Sequence, residues 1–419
     1  MTRGDIRCGA ALVAALLTGC GAQSPVPAAP AVVARPYVVM VSFDGFRHDY
    51  IDRYRPPALE SVAARGVRAE SMKPPFPSKT FPSHYTLVTG LHPGRHGIAG
   101  NAFYDPARNA WYRLADTAAV RDGTWYRGEP IWVTAERQGV RTAAYFWPGS
   151  EARIGGVRPT YSMRYDGRVP NARRVDEAIA WLRRDAAARP HLVLLYMSDI
   201  DDTTHEHGPD APETALAVRS VDRALGRLLD SLAVLPIRDS VNVLLVSDHG
   251  MSAVAGSRVM PVFDALVSGG VDTLGVRASD NGPTMSLWFA GDTVRRDRAR
   301  AVLARTLTHA AVYGRDDAPR SLHLAGDPRF GDLLLLARPG WMLQRRATDR
   351  PPRGGAHGYD PDLREMHGIF VAAGPNVRPL GRVPTLASVD VYQLVARMLG
   401  LERVPATDGD AGVLRYLQR

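Results

Sequence analysis

Short, continuous apolar runs alternate along this chain with stretches whose apolar residues recur every three or four positions. The runs Tyr37–Phe43, Arg141–Phe146, His191–Met197 and Ser240–Val246 predict strands covered on both faces. The periodic stretches Ala58–Arg65, Pro130–Gln138, Val175–Ala188 and Glu213–Leu235 predict helices, and another should begin near Thr80 within Lys79–Gly90. Strand and helix in alternation specify an α/β fold, a parallel sheet flanked by helices. The texture changes after residue 250. Pro283–Phe289, Thr293–Val312 and Gly331–Arg338 read as strand, helix and strand, a small α+β subdomain at about 251–350, inserted before Gly368–Ala373 and Ala387–Leu399 return to the core. No internal repeat is visible.

The first residues follow a different logic. Arg3 and Arg7 precede the apolar segment Ala10–Leu17, which is too short to span a bilayer. This reads as a secretory signal over 1–19. Leu17-Thr18-Gly19-Cys20 looks like a bacterial lipobox, which implies a lipid on Cys20 and a periplasmic or cell-surface lipoprotein; the other reading is a simple cleavable signal with an incidental cysteine. Residues 20–36, rich in proline and alanine, then form a tether. The catalytic domain is expected over 37–419. Cys8 and Cys20 are the only cysteines, so the mature domain has no disulfide and must be held by core burial. The formal net charge is +9, but the arginines are dispersed and no basic tract is interleaved with aromatics. That argues against nucleic-acid binding as the main function and is compatible with small anionic substrates.

The candidate chemistry lies in separated acid and histidine clusters. Asp44 directly follows the first apolar run, and Asp248-His249 closely follows the run ending at Val246. Asp201 and His205 come after the run ending at Met197, spaced so that one helical turn puts both on one face. His357 lies in GGAHGYDP and Thr80 in PPFPSKTFPSHYTLVTG. Carboxylates at the C-terminal ends of parallel strands occupy the ligand edge of an open α/β sheet. Three of them converging there would repel one another unless cations held them, and Asp with His suits zinc. Each fragment has an ordinary alternative. Thr80 could be a helix N-cap, Asn101 a turn residue, Phe81 and Tyr196 core aromatics. His84, His92, His96, His207 and His367 read as scaffold or surface residues.

Taken together, VSFDGFR, PPFPSKTFPSHYTLVTGLHPGRHGI, NAFYDP, FWPGSEA, DIDDTTHEHGPD, VSDHGM and AHGYDPDLREMHGIF resemble the nucleotide pyrophosphatase/phosphodiesterase family within the alkaline phosphatase superfamily. The resemblance covers residues 37–400. It implies an alkaline-phosphatase-like, mostly parallel sheet and two zinc ions, one on Asp201, His205 and His357, the other on Asp44, Asp248, His249 and the nucleophile Thr80. It further implies that Asn101, with the backbone N–H of Phe81, holds a phosphoryl oxygen. Phe81 and Tyr196 would sandwich an organic group such as a nucleobase, and Tyr165 would line the same pocket. The implied activity is phosphodiester or nucleotide hydrolysis through a covalent phospho-threonine; a phosphomonoesterase or phosphonate hydrolase, or a tethered non-catalytic binding protein, are the other readings. Two Zn²⁺ ions balance three aspartates and one alkoxide, and no Lys-x-Arg string stands near FWPGSEA, which favours a singly charged diester over a dianionic monoester.

Overall fold

The structure is a computed structural model that describes residues 1–2 and 35–418. The leader, Cys20 and the tether up to residue 34 lie outside the described residues. The central sheet contains β1 (Tyr37–Phe43), β2 (Val67–Ala69), β3 (Thr142–Tyr145), β4 (Tyr161–Met163), β5 (Leu192–Met197), β6 (Val241–Val246), β7 (Phe370–Ala373) and β8 (Gly381–Val383), in the order β8-β2-β7-β6-β1-β5-β3-β4. From β6 to β4 all pairings are parallel, and β7 runs antiparallel to both neighbours. The sheet is therefore mostly parallel, in line with the sequence.

Continuous apolar runs arise because both faces are covered. Val38, Met40, Leu192, Leu194, Leu244 and Val246 face one apolar cluster, which also holds residues of helices α1 (Thr80–Thr89) and α5 (Val391–Met398). The alternate residues Val39, Val41, Val193, Leu195, Val243 and Leu245 face the other, with α2 (Asn171–Leu182) and α4 (Pro212–Ala233). Truncating one such residue, Leu194→Ala for example, should cost about 2–5 kcal/mol. A further helix, α3 (Asp199–His207), starts just after β5. Its opening is tied to the end of β1, because the Asp201 N–H donates to the Asp44 carbonyl at 3.1 Å.

Residues beyond β6 build a separate four-stranded antiparallel sheet, ordered Arg277–Asn281, Thr284–Trp288, Leu333–Ala337, Ala310–Gly314. It packs with the helices Val262–Ser268 and Thr293–Thr306 around Phe263, Leu266, Leu287, Leu303 and Leu335. The chain returns through the short strand Gly355–Ala356, paired with Ser252–Ala253, which delivers His357. Three helix limits differ from the sequence expectation by more than two residues. The helix from Thr293 stops at Thr306 instead of Val312, because Ala310–Gly314 pairs with Leu333–Ala337 and the ladder wins over local periodicity. The helix expected over Val175–Ala188 starts at Asn171, just after Pro170, and stops at Leu182. Its polar first turn hid that start, yet Arg174 in it is buried and donates to the Tyr196 carbonyl at 2.7 Å.

Candidate active site

The C-terminal ends of β5, β1 and β6, three adjacent parallel strands, bring Asp201, Asp44 and Asp248-His249 to one edge of the sheet. Gly45 permits this convergence. Its φ of 71° turns the chain back so that its N–H reaches Asp248 Oδ1 at 3.3 Å, and an added Cβ would press within 3.0 Å of the Asp201 backbone. On α3 the expected spacing holds, with His205 Nε2 3.5 Å from Asp201 Oδ1. His357 Nε2 reaches the same oxygen at 3.6 Å, and its ring stacks on His249 with centroids 3.6 Å apart.

The donor atoms are arranged for cations. Asp201, His205 and His357 place one donor atom each within 4.8 Å of one another, and so do Asp44, Asp201 and His249. Asp44 Oδ1, Asp201 Oδ1, Asp248 Oδ2 and His249 Nε2 are buried without a hydrogen-bond partner. His205 Nδ1 donates to the Gly355 carbonyl at 2.9 Å and His357 Nδ1 to the Ser78 carbonyl at 2.8 Å. With both Nδ1 atoms committed to carbonyls, the two Nε2 atoms face each other at 3.0 Å, a spacing from which both could turn to a shared cation. His249 repeats the pattern. Its Nδ1 donates to the Gly250 carbonyl, while Nε2 lies 2.9 Å from Asp248 Oδ2 and 3.5 Å from Asp44 Oδ1. The residues present therefore fit metal ions well.

Protonation follows the same logic. Burial, then Asp248 and Asp201, push the Asp44 carboxyl well above its ordinary range. Burial also opposes charge on Asp248, but His249 and His84 overcome it and hold that carboxyl low. For His249 burial pulls the pKa down, yet Asp248 wins and raises it. Burial, then His249, Lys79 and His205, keep His357 neutral, which is the ligating form. His84 approaches Asp248 Oδ2 at 3.3 Å, while Ser42 Oγ and the Thr80 carbonyl engage its two ring nitrogens; with Asp44 and Asp248 it makes a further group of donor atoms within 4.8 Å of one another.

Thr80 is the first residue of α1, and the N-cap position belongs to Lys79, so the Thr80 hydroxyl is not spent on capping that helix. It opens into a cleft of about 640 Å³ together with Asp44, Phe81, Asn101, Tyr165, Tyr196, Asp201, His205 and His357. Asp248 and His249 lie buried beneath the cleft, against Asp44. Two expectations change in detail. The Phe81 N–H is not a free donor, since it donates to Asn101 Oδ1 at 3.0 Å; this fixes the carboxamide and leaves Asn101 Nδ2 as the available donor. Tyr196 is largely covered, at 7% exposed, and its hydroxyl donates to Asp44 Oδ2 at 2.6 Å, which anchors the ring on the cleft floor. Tyr165, 55% exposed, is the open aromatic surface at the cleft.

Sequence reasoning assigned no role to Glu151, Arg121 or Lys79. Glu151 accepts from the Tyr165 N–H and from Arg121 Nε, both at 2.9 Å, and so fixes the loop that carries Tyr165. Lys79 is buried just before Thr80; burial lowers its pKa to about 8, against upward pulls from Asp201 and Asp280. It adds a positive charge beside Asp201 that the formal balance of zinc, aspartate and alkoxide omitted. A signal was available, since the chain has two lysines, Lys73 and Lys79, against 50 arginines.

Residues 38–360 match the model of the type I phosphodiesterase / nucleotide pyrophosphatase family. The chain belongs to this family. Among curated relatives, a venom phosphodiesterase of Crotalus durissus collilineatus is 33% identical over 404 residues, covering 94% of this chain and 48% of the relative. Ectonucleotide pyrophosphatase/phosphodiesterase family member 1 of Mus musculus is 34% identical over 402 residues, covering 93% and 44%. This family member thus spans about half the length of the curated relatives it matches. The solved structure of murine ectonucleotide pyrophosphatase / phosphodiesterase 5 superposes with a TM-score of 0.85 at 32% identity, covering 91% of this chain and all of that one. An inactive threonine-to-alanine form of that murine protein, in complex with AMP, matches at the same TM-score and 31% identity, covering 92% of this chain and 100% of that one.

Proposed function

We propose that this family member is a two-zinc phosphodiesterase and nucleotide pyrophosphatase that acts through a covalent phospho-threonine at Thr80. The observation that carries the reading is the convergence of buried Asp44, Asp201, Asp248 and His249 donor atoms, which meet one another rather than hydrogen-bond partners outside the group, beside a threonine that lines the cleft. The AMP complex of the murine relative and the names of the curated relatives support a nucleotide substrate. One ion belongs with Asp201, His205 and His357, the other with Asp44, Asp248, His249 and Thr80. When bound, the ions supply the positive charge that acidifies a hydroxyl or a water and offsets charge on attacking and leaving oxygens.

The residues of the chain divide the remaining work. The Thr80 Oγ–H loses its proton, Oγ attacks phosphorus in line, and the bond to the leaving oxygen breaks as that oxygen takes up a proton. Asn101 Nδ2, held by the Phe81 N–H, donates to a non-bridging oxygen. Water then attacks phosphorus and gives up a proton, the bond to Thr80 breaks as its Oγ regains a proton, and a monoester is released. Phe81 and Tyr165 offer faces to the retained organic group, over a floor formed by Tyr196. The venom and ectoenzyme relatives are consistent with an exported enzyme, which we place on a membrane surface through lipid on Cys20. A comparison of aryl diesters with aryl monoesters tests the proposal: diesters should be cleaved faster by orders of magnitude in kcat/KM. A preference for monoesters would turn the reading toward a phosphatase.

A further inference from the structure

The residue following Asn101 is gripped from a distant part of the chain. Strands Arg277–Asn281 and Thr284–Trp288 form a hairpin whose loop is Gly282-Pro283, with Gly282 at φ 76°. At its tip the Asn281 carboxamide makes two bonds to Ala102: Oδ1 accepts the Ala102 N–H at 3.2 Å, and Nδ2 donates to the Ala102 carbonyl at 2.9 Å. A side chain here reproduces the paired bonds of a β-bridge. Gly100, on the other side of Asn101, leaves room for it, since a Cβ there would lie 3.1 Å from Asn281 Nδ2 and 3.3 Å from Oδ1. The Asn101 carbonyl accepts the Leu114 N–H at 2.9 Å, and its side chain is fixed by Phe81.

We propose that Asn281 is a positioning residue for the phosphodiester reaction, holding the Gly100–Ala102 segment so that Asn101 Nδ2 faces the phosphoryl oxygen. The proposal rests on the reading of Asn101 as that donor. It makes the hairpin tip a part of the active site that never touches substrate. The Asn281 carboxamide sets the Asn101 backbone from one side, and the Phe81 N–H sets its side chain from the other. A small displacement of a transition-state donor lowers turnover more than it lowers ground-state binding.

A double-mutant cycle on the metal-loaded enzyme tests this, with kcat and KM for a nucleotide diester, zinc content and Tm as readouts. Asn281→Ala should lower kcat roughly tenfold with KM little changed and zinc content intact. Asn281→Asp, which keeps the acceptor but sets a carboxylate against the Ala102 carbonyl, should do at least as much. Gly100→Ala, whose methyl crowds the same carboxamide, should reproduce the loss from the opposite side. In an Asn101→Ala background, Asn281→Ala should have almost no further effect. An equal loss in both backgrounds, or unchanged kcat in Asn281→Ala, overturns the proposal. If Asn101→Ala itself turns over at the parent rate, the reading of Asn101 fails first and the positioning role falls with it.

Discussion

The floor of the cleft and its mouth are built from different materials. On the floor, Asp44, Asp248, His249 and His357 are 0–2% exposed, and the first three lie within a few residues of the ends of β1 and β6. At the mouth, Tyr165 is 55% and Leu114 43% exposed, and both come from loops. The floor inherits its rigidity from a sheet packed on both faces, whereas the mouth depends on local ties such as Glu151 to Arg121 and the Tyr165 N–H. On the proposed mechanism, the bond-breaking apparatus would sit where displacement is costly, and substrate choice where sequence can change cheaply.

The most severe way to break the floor is to empty it. Chelation should abolish turnover on every diester and lower Tm, because Asp44, Asp201 and Asp248 lose their compensating charge; Zn²⁺ should restore both. Full turnover in chelated protein would remove the metal reading. Thr80→Ala should come next, costing about 10³-fold or more in kcat on all diesters alike, with Tm little changed. Mass spectrometry of quenched wild-type reactions should show a phosphorylated Thr80 peptide that the variant lacks.

The mouth should respond selectively. Tyr165→Ala should lower kcat/KM for nucleotide diesters by about 1–3 kcal/mol of lost stacking, and leave a methyl aryl diester almost untouched. Phe81, 8% exposed beside Thr80 on α1, belongs to the floor, and Phe81→Ala should slow both substrates. Equal losses on both substrates in Tyr165→Ala would mean that this ring supports the floor and that the division is wrong.

Lys79 gives an effect on stability that is set apart by its pH dependence. Its folded-state pKa of about 8 lies below the ordinary 10.5, so the buried charge weakens the fold most below pH 8. That penalty shrinks as pH rises from 8 and is gone above the ordinary value. Metal-free Lys79→Met should therefore be more stable than the parent at pH 7, by up to about 3 kcal/mol, with the gap closing between pH 8 and 10.5. A gap that does not change with pH would show that folding leaves the pKa of Lys79 unshifted.

What could be read in advance follows the same division. The strand runs and the acid clusters behind them were legible because a doubly covered parallel strand must be apolar throughout, and its end is where polar residues resume. The α3 spacing was legible because Asp201 and His205 share a helical face. The antiparallel placement of β7 and the early end of the helix from Thr293 were not, because both are decided by a pairing partner far away in sequence. Three hydrogen bonds were hidden for a similar reason: Tyr196 to Asp44, Phe81 to Asn101 and Asn281 to Ala102 join residues whose types fit several roles.

The scarcity of lysine has a practical side. Lys79 is enclosed beneath the cleft, while Lys73 sits at the surface in an ion pair with Asp362. Amine-directed reagents therefore meet a single accessible ε-amino group in this domain, and it is outside the residues that line the cleft. Coupling through Lys73 would attach the enzyme to a bead or a sensor surface in one defined orientation. Slow reaction at Lys79 under the same conditions would serve as an internal gauge of how often the active site opens.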